Sequence, residues 1–152
     1  MIEKNNMSFS EKNKLIYTTI RIVKENVINS KEPLYNPIVL VGLDRGLRYR
    51  IFWYIFNKEF NRKYKGIYTY SSCDKIDLDT VQNKKLVIVE SIELLSGSEV
   101  LQNKIRELLM ICSKQKIQII LCSDVDISDL EIDEILKSKM LPELGLTLHL
   151  ER

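Results

Sequence analysis

Three segments of the sequence place polar residues directly after short apolar runs. They are Gly42-Leu43-Asp44-Arg45-Gly46, Glu90-Ser91 and Ser123-Asp124. A glycine-bearing turn between a strand and a helix is typical of phosphate-binding loops. In such a loop, backbone amides surround the phosphates, a lysine neutralises their charge and a hydroxyl binds magnesium. The first segment therefore raises the possibility of phosphate chemistry.

The match to the phosphate-loop pattern G-x-x-x-x-G-K-[ST] is partial. Counting from Gly42, Leu47 stands at the second glycine position, Arg48 at the lysine position and Tyr49 at the hydroxyl position. Arg48 keeps the positive charge, but Leu47 crowds the backbone and Tyr49 is a poor magnesium ligand. A frame that starts from Gly46 places Leu47 at the lysine position. Taken alone, the motif favours an ordinary strand–turn–helix.

Alternating apolar segments must position these residues. Helical spacing of apolar residues predicts four helices, over 11–29, 46–64, 98–113 and 127–140. Short apolar runs predict five strands, over 38–41, 67–70, 86–90, 117–122 and 146–150, and 74–83 is a polar connection. This alternation predicts a parallel α/β sheet with helices on both faces. Ligands of such folds bind at the carboxyl ends of the strands.

Composition narrows the class of protein. The 152 residues predict one domain, and 23 basic against 21 acidic residues give a net charge of +2, too small to predict nucleic-acid binding. The three cysteines lack paired spacing, so neither a disulfide framework nor a metal site is expected. The N-terminus lacks an apolar signal region, and the longest apolar run, 51–56, is too short to cross a membrane. We expect a reduced, cytoplasmic protein.

Five segments, in order, resemble segments of the bacterial replication initiator DnaA. They are Asn13-Lys14 at the start of a helix, 34–42 leading into the phosphate loop, 87–97 as the Walker B segment, 119–124 as the sensor-1 strand and 135–140 as the arginine-finger segment. Together they span most of residues 11–150. The resemblance implies an AAA+ core, which is a three-layer P-loop NTPase-like α/β fold with a five-stranded parallel sheet in the order 5-1-4-3-2 and helices on both faces.

Departures from the family pattern imply a degenerate nucleotide site. The two Walker B acids correspond to Glu90 and Ser91, and Lys139 stands at the arginine-finger position. Because phosphoryl transfer depends on positioning and electrostatic stabilisation, these losses imply a pseudo-ATPase without catalytic residues, and neither ATP nor ADP is expected as a cofactor. The residual site would comprise Gly42, Gly46, Arg48, Tyr49, Glu90 and Asp124. The resemblance also implies a single core over 1–152, without the lid subdomain or the helix-turn-helix domain.

The segment 45–65 is unusually rich in aromatic and basic residues. One predicted apolar stripe contains Leu47, Ile51 and Ile55, while the phenylalanines at 52, 56 and 60 form a second stripe and Trp53 points elsewhere. Either the N-terminal helix covers the excess, or the segment is a partner surface, since aromatic and arginine side chains dominate binding hot spots. Stacking on nucleic-acid bases is a third interpretation. The interface candidates are Arg50, Trp53, Phe56, Phe60, Arg62, Lys63 and Lys139.

These features together predict a non-catalytic DnaA-like module that regulates or assists DNA replication initiation through contacts with an initiator, helicase or loader protein. Two alternatives stay open. The first is a nucleic-acid-binding accessory that uses the helix over 45–65. The second is a nucleotide sensor that uses the backbone amides at Gly42 and the charge of Arg48. No membrane association is expected, and the pattern leaves the oligomeric state open.

Overall fold

The computed structural model describes residues 11–42, 45–56, 58–64, 66–143 and 145–150. The helices are α1 (Glu11–Ile28), α2 (Arg45–Ile55), α3 (Lys58–Tyr64), α4 (Leu78–Val81), α5 (Glu99–Gln115) and α6 (Glu134–Met140). The strands are β1 (Ile38–Val41), β2 (Tyr68–Ser72), β3 (Leu86–Glu90), β4 (Gln118–Ser123) and β5 (Leu146–His149). Two 3₁₀ helices, Ile92–Leu95 and Ile127–Asp129, follow β3 and β4.

The five strands form one parallel sheet in the order β2-β3-β4-β1-β5. This is the predicted order read from the opposite edge. The central strands β1, β3 and β4 are buried along their whole length, which is why their sequences are continuous apolar runs rather than alternating ones.

Successive residues of the central strands pack alternately into two separate hydrophobic cores. In β1, Ile38 and Leu40 pack in the core with α1, α2 and α3, whereas Val39 and Val41 pack in the core with α5 and α6. Side chains of a strand point to alternate faces, so a strand that is apolar at every position requires a helical layer on both sides. The predicted three-layer arrangement is therefore confirmed.

The prediction of one long helix over 46–64 is wrong, because α2 ends at Ile55 and α3 begins at Lys58. Phe56 and Phe60 are each only 3% exposed and their ring centroids lie 5.1 Å apart. They pack in the core that α1 covers. Both side chains are thus unavailable to a partner, and their assignment as interface candidates is corrected.

The last predicted helix is also shorter than expected. Asp133 accepts a hydrogen bond from the Leu136 backbone N–H at 3.1 Å and so caps α6 at its N-terminus. The residues before it form a 3₁₀ helix and an irregular connection. Helical spacing predicts that Ile135 on α6 and Val100 on α5 belong to the inward-facing apolar stripes, yet both are exposed. Helical spacing shows which residues share a face of a helix. It does not show which residues at the edge of that face extend past the sheet into solvent.

Asn36 fixes the segment that leads into β1. Its side-chain oxygen accepts a hydrogen bond from the Ile119 backbone N–H at 2.9 Å, and its amide donates to the Ile117 carbonyl at 2.8 Å. The side chain therefore bonds to β4 as a neighbouring strand would.

No helix in the described part of the chain is long and apolar enough to cross a membrane. Cys73, Cys112 and Cys122 are free and buried.

Gly42 is required by close packing against the end of β5. The Leu150 backbone N–H donates to the Val41 carbonyl at 2.6 Å, and a Cβ placed on Gly42 would lie 2.5 Å from the Leu150 Cβ. That separation is far inside van der Waals contact. The glycine thus serves the junction between β1 and the segment after β5.

We expect Gly42→Ala to lower the free energy of unfolding by about 1–3 kcal/mol, because the added methyl group must displace Leu150. Urea denaturation measures this change. The matched control is Gly66→Ala, where a Cβ would meet nothing within 4 Å, and its effect should stay within about 0.5 kcal/mol. Equal stability of the two variants would show that Leu150 does not pack there.

Candidate functional site

The carboxyl edge of the sheet brings three of the predicted site residues around the side chain of Arg48. Gly42 follows β1, Glu90 ends β3 and Asp124 follows β4. Because β1, β4 and β3 are successive neighbours in the sheet, their carboxyl ends meet at one place. Arg48 lies in the first turn of α2 and is fully buried.

The guanidinium of Arg48 joins all three. Its Nη2 donates to Glu90 Oε1 at 2.9 Å and to Asp124 Oδ1 at 2.8 Å, and its Nε donates to Glu90 Oε2 at 3.1 Å. Its Nη1 donates to the carbonyl oxygen of Gly42. The pairing with Glu90 is bidentate, the geometry that a guanidinium, unlike an ammonium group, can provide.

Both oxygens of the Glu90 carboxylate accept further hydrogen bonds. Oε1 accepts from the Ser91 backbone N–H at 3.1 Å, and Oε2 accepts from the Tyr70 hydroxyl at 3.2 Å. Each oxygen thus has two donors within the protein. Since Glu90 is only 1% exposed, these donors replace the water that its charge would otherwise require.

Burial and the charged neighbours together determine the protonation states around the cluster. Burial by itself would lower the pKa of Arg48, but hydrogen bonds to Glu90 and Asp124 outweigh it, and the pKa is raised above its ordinary value. Burial raises the pKa of Tyr70, and the charge of Glu90 raises it further. The pKa of Cys122 is raised well above its ordinary value for the same two reasons. Arg48 therefore stays charged, while Tyr70 and Cys122 keep their protons.

The other positions of the phosphate-loop pattern do not join this cluster. The Gly42 backbone N–H donates to the Ser123 carbonyl at 3.0 Å, so it is already used in pairing with β4. Gly46 is exposed in the first turn of α2. Tyr49 is exposed and packs edge-on against Tyr70, with ring centroids 6.0 Å apart.

Sequence reasoning missed Tyr70, the backbone of Ser91 and Glu93. Glu93 accepts a hydrogen bond from the Asp124 backbone N–H at 3.0 Å and so links the 3₁₀ helix after β3 to the end of β4. One signal was available for Tyr70, a hydroxyl-bearing residue in the strand that pairs with β3. Nothing in the spacing singled out Glu93.

The remaining interface candidates lie on two sides of the molecule. Trp53 is 57% exposed and Arg50 is also exposed, both on α2, and Arg62 and Lys63 are exposed in the last turn of α3. Lys139 is exposed on α6, in the opposite helical layer. The candidates therefore form no single surface.

Within the described residues, no group of three or more histidine, cysteine, aspartate or glutamate side chains could hold a metal ion.

No protein-family profile matches the sequence, and no curated protein matches it. Solved structures do match. AMPPCP-bound DnaA from Aquifex aeolicus has a TM-score of 0.74 and 24% identity, over 97% of this chain and 49% of that chain. The chain has the fold of the DnaA AAA+ domain. Domain III of DnaA from Thermotoga maritima gives a TM-score of 0.73 at 18% identity, over 97% and 65% of the two chains.

A third structure, DnaA bound to AMPPCP and single-stranded DNA, gives a TM-score of 0.70 at 21% identity, over 97% of this chain and 49% of that chain. The DnaA-like core thus spans about half the length of the two nucleotide-bound DnaA chains. The fold that the five sequence segments implied is confirmed, and in this fold Arg48, Glu90 and Asp124 lie at the edge where α/β proteins bind ligands.

We expect Arg48→Met to lower the free energy of unfolding by about 3–5 kcal/mol, because it leaves the buried Glu90 carboxylate without its cation. The double variant Arg48→Met/Glu90→Leu removes both charges and should restore most of the loss. Chemical denaturation of the two variants and the parent measures both effects.

The matched control for Arg48→Met is Arg106→Met, which removes an ion pair with Asp133 at 3.3 Å between two partly exposed side chains. Its cost should be below about 1 kcal/mol. A double variant no more stable than Arg48→Met would contradict the assignment of Glu90 as the principal partner of Arg48.

Proposed function

We propose that this chain is a non-catalytic DnaA-like AAA+ module that acts through protein contacts as an accessory or regulator of DNA replication initiation. The observation that carries the proposal is the cluster in which the buried Arg48 and Glu90 pair with each other and Arg48 also pairs with Asp124. The geometry of this cluster supports the absence of catalysis, and the exposed face of α2 supports a role in protein contacts.

The cluster supports the absence of ATP hydrolysis. Phosphoryl transfer in P-loop proteins needs a carboxylate free to hold magnesium and backbone amides free to hold phosphate. Glu90 has two internal donors on each oxygen, and the Gly42 amide donates to Ser123. The residues at this edge therefore do not fit a magnesium nucleotide. The guanidinium of Arg48 supplies internally the positive charge that a metal ion would bring.

The exposed face of α2 supports a role in binding. Trp53 and Arg50 lie outside both cores, and tryptophan and arginine are enriched in the residues that dominate interface energy. The link to replication rests on the fold, since the DnaA structures that match are replication initiators. Because Arg48 already pairs with Glu90 and Asp124, we infer that the chain binds a replication protein rather than acting on a nucleotide.

The experiment measures binding of the purified chain to the purified replication initiator, helicase and loader of the same cell, with magnesium-dependent phosphate release from ATP followed in parallel. We expect one of these proteins to bind, with no ATP hydrolysis above background. The variant Arg50→Ala/Trp53→Ala should weaken binding by at least about tenfold, as the loss of a hot spot does. The control Tyr35→Ala/Arg106→Ala removes an aromatic and an arginine side chain elsewhere on the surface and should leave binding unchanged.

A second candidate, binding of single-stranded nucleic acid, is favoured by one observation. Arg45, Tyr49 and Trp53 are spaced at i, i+4 and i+8 on α2, all three are exposed, and α2 contains no acidic residue. Aromatic and basic side chains on one face are what base stacking and phosphate contacts require. The test is binding of oligothymidylate to the chain. If this binding depends on salt and is weakened in Arg50→Ala/Trp53→Ala, and if no replication protein binds, the second candidate replaces the first.

A further inference from the structure

We propose that a groove at the amino edge of the sheet binds an acidic, amphipathic segment of a partner protein. This proposal rests on the proposed function, because it names the chemistry of one protein contact. Two cavities form the groove. One of about 230 Å³ lies near the end of α1, and one of about 1100 Å³ lies between α5 and α6. They share Glu32, Pro33 and Lys116 in their walls and are therefore adjacent.

The charge of the groove points to an acidic ligand. Among the described residues in its walls, the charged ones are six lysines and the single acid Glu32. Glu32 pairs with Lys116 at 3.0 Å, which leaves the excess of positive charge uncompensated. The lysines are Lys31, Lys84, Lys85, Lys114, Lys116 and Lys139. For a chain with a net charge of only +2, this is a marked concentration at one edge.

The floor and one wall of the groove are apolar. Ile119 and Cys112 lie at its base and are buried, while Met110 and Ile135 are 60% and 65% exposed beside Pro142. Exposed apolar side chains that flank a concave surface are typical of sites that receive the apolar face of an amphipathic helix. The larger cavity thus combines these apolar side chains with Lys114, Lys116 and Lys139 in one lining.

The same chemistry argues against nucleic acid as the occupant. Sequence-independent binding of single strands uses aromatic side chains as stacking platforms, and none of the described residues lining this groove is aromatic. Its cations are all lysines, which lack the bidentate fork that arginine offers to phosphate. A protein segment with carboxylates along the edges of an apolar face satisfies both the lysines and the floor.

The groove is independent of the Arg48 cluster. Its residues lie at the end of α1, before β1 and β3, at the start of β4, in the second half of α5, and in or just after α6. Gly42, Glu90 and Asp124 lie at the opposite ends of the strands. Trp53 and Arg50 lie on α2, and no described residue of α2 lines either cavity. Binding at the groove can therefore succeed or fail separately from binding at α2.

The test measures the fluorescence anisotropy of a labelled helical peptide made of leucine on one face and glutamate on the other. Two comparison probes are measured in the same way. One is a peptide of the same composition with its leucines distributed around the helix, and the other is labelled oligothymidylate. We expect the amphipathic peptide to bind more tightly than either. Lys114→Glu/Lys139→Glu and Met110→Gln/Ile135→Gln should each weaken its binding on the order of tenfold.

Matched controls place the same changes elsewhere on the surface. Lys75→Glu/Lys104→Glu reverses two lysines outside the groove, and Val100→Gln removes an exposed apolar side chain of α5. Neither should alter binding. All substituted groove positions are on the surface, and thermal melting checks that each variant is folded.

Three results would overturn the proposal. The first is no binding of the amphipathic peptide. The second is oligothymidylate binding that the lysine reversals abolish and Met110→Gln/Ile135→Gln leaves intact, which assigns the groove to nucleic acid. The third is concentration-dependent dimerisation lost in the lysine variant, which assigns it to a second copy of the chain. The proposed function and the groove can be told apart. If Arg50→Ala/Trp53→Ala abolishes binding of a replication protein and the groove variants do not, the proposed function is retained and the groove proposal is rejected.

Discussion

A buried guanidinium can be tolerated only where carboxylates and hydrogen-bond acceptors surround it, and this requirement organises the carboxyl edge of the sheet. Arg48 enters from the first turn of α2 and finds its partners at the ends of three neighbouring strands. Glu90 is as buried as Arg48 and takes two more donors from Tyr70 and Ser91. The positions of α2, β1, β3 and β4 are thereby coupled through one side chain.

The proposed loss of phosphoryl transfer follows from the same constraint. A carboxylate that is saturated by a permanent internal cation has no free position for a metal ion, and a glycine whose missing side chain makes room for Leu150 is held by packing. Under the proposed function, partner contacts are made by the exposed aromatic and basic face of α2 and by the lysine-lined groove at the opposite edge.

The sequence alone predicted the parts of the fold that depend on local pattern. Continuous apolar runs located β1 and β3 to the residue because strands buried on both faces leave no polar interruption. The loop pattern placed Arg48 at the lysine position, and strand order brought Glu90 and Asp124 beside it. The contributions of Glu93 and Leu150 could not be predicted, since both depend on contacts between distant segments. The break after Ile55 was missed because aromatic spacing continues through it, although the burial of Phe60 requires a second helix.

We propose that the paired Arg48 cluster takes the place of a bound magnesium nucleotide. Thermal melting of the purified chain with and without ATP or ADP, in magnesium and in a chelator, tests it most directly, because any ligand that binds the folded state raises the melting temperature. We expect the same melting temperature under all four conditions. A magnesium-dependent rise with ATP, lost in Glu90→Gln, would contradict it and would show that the edge still holds a nucleotide.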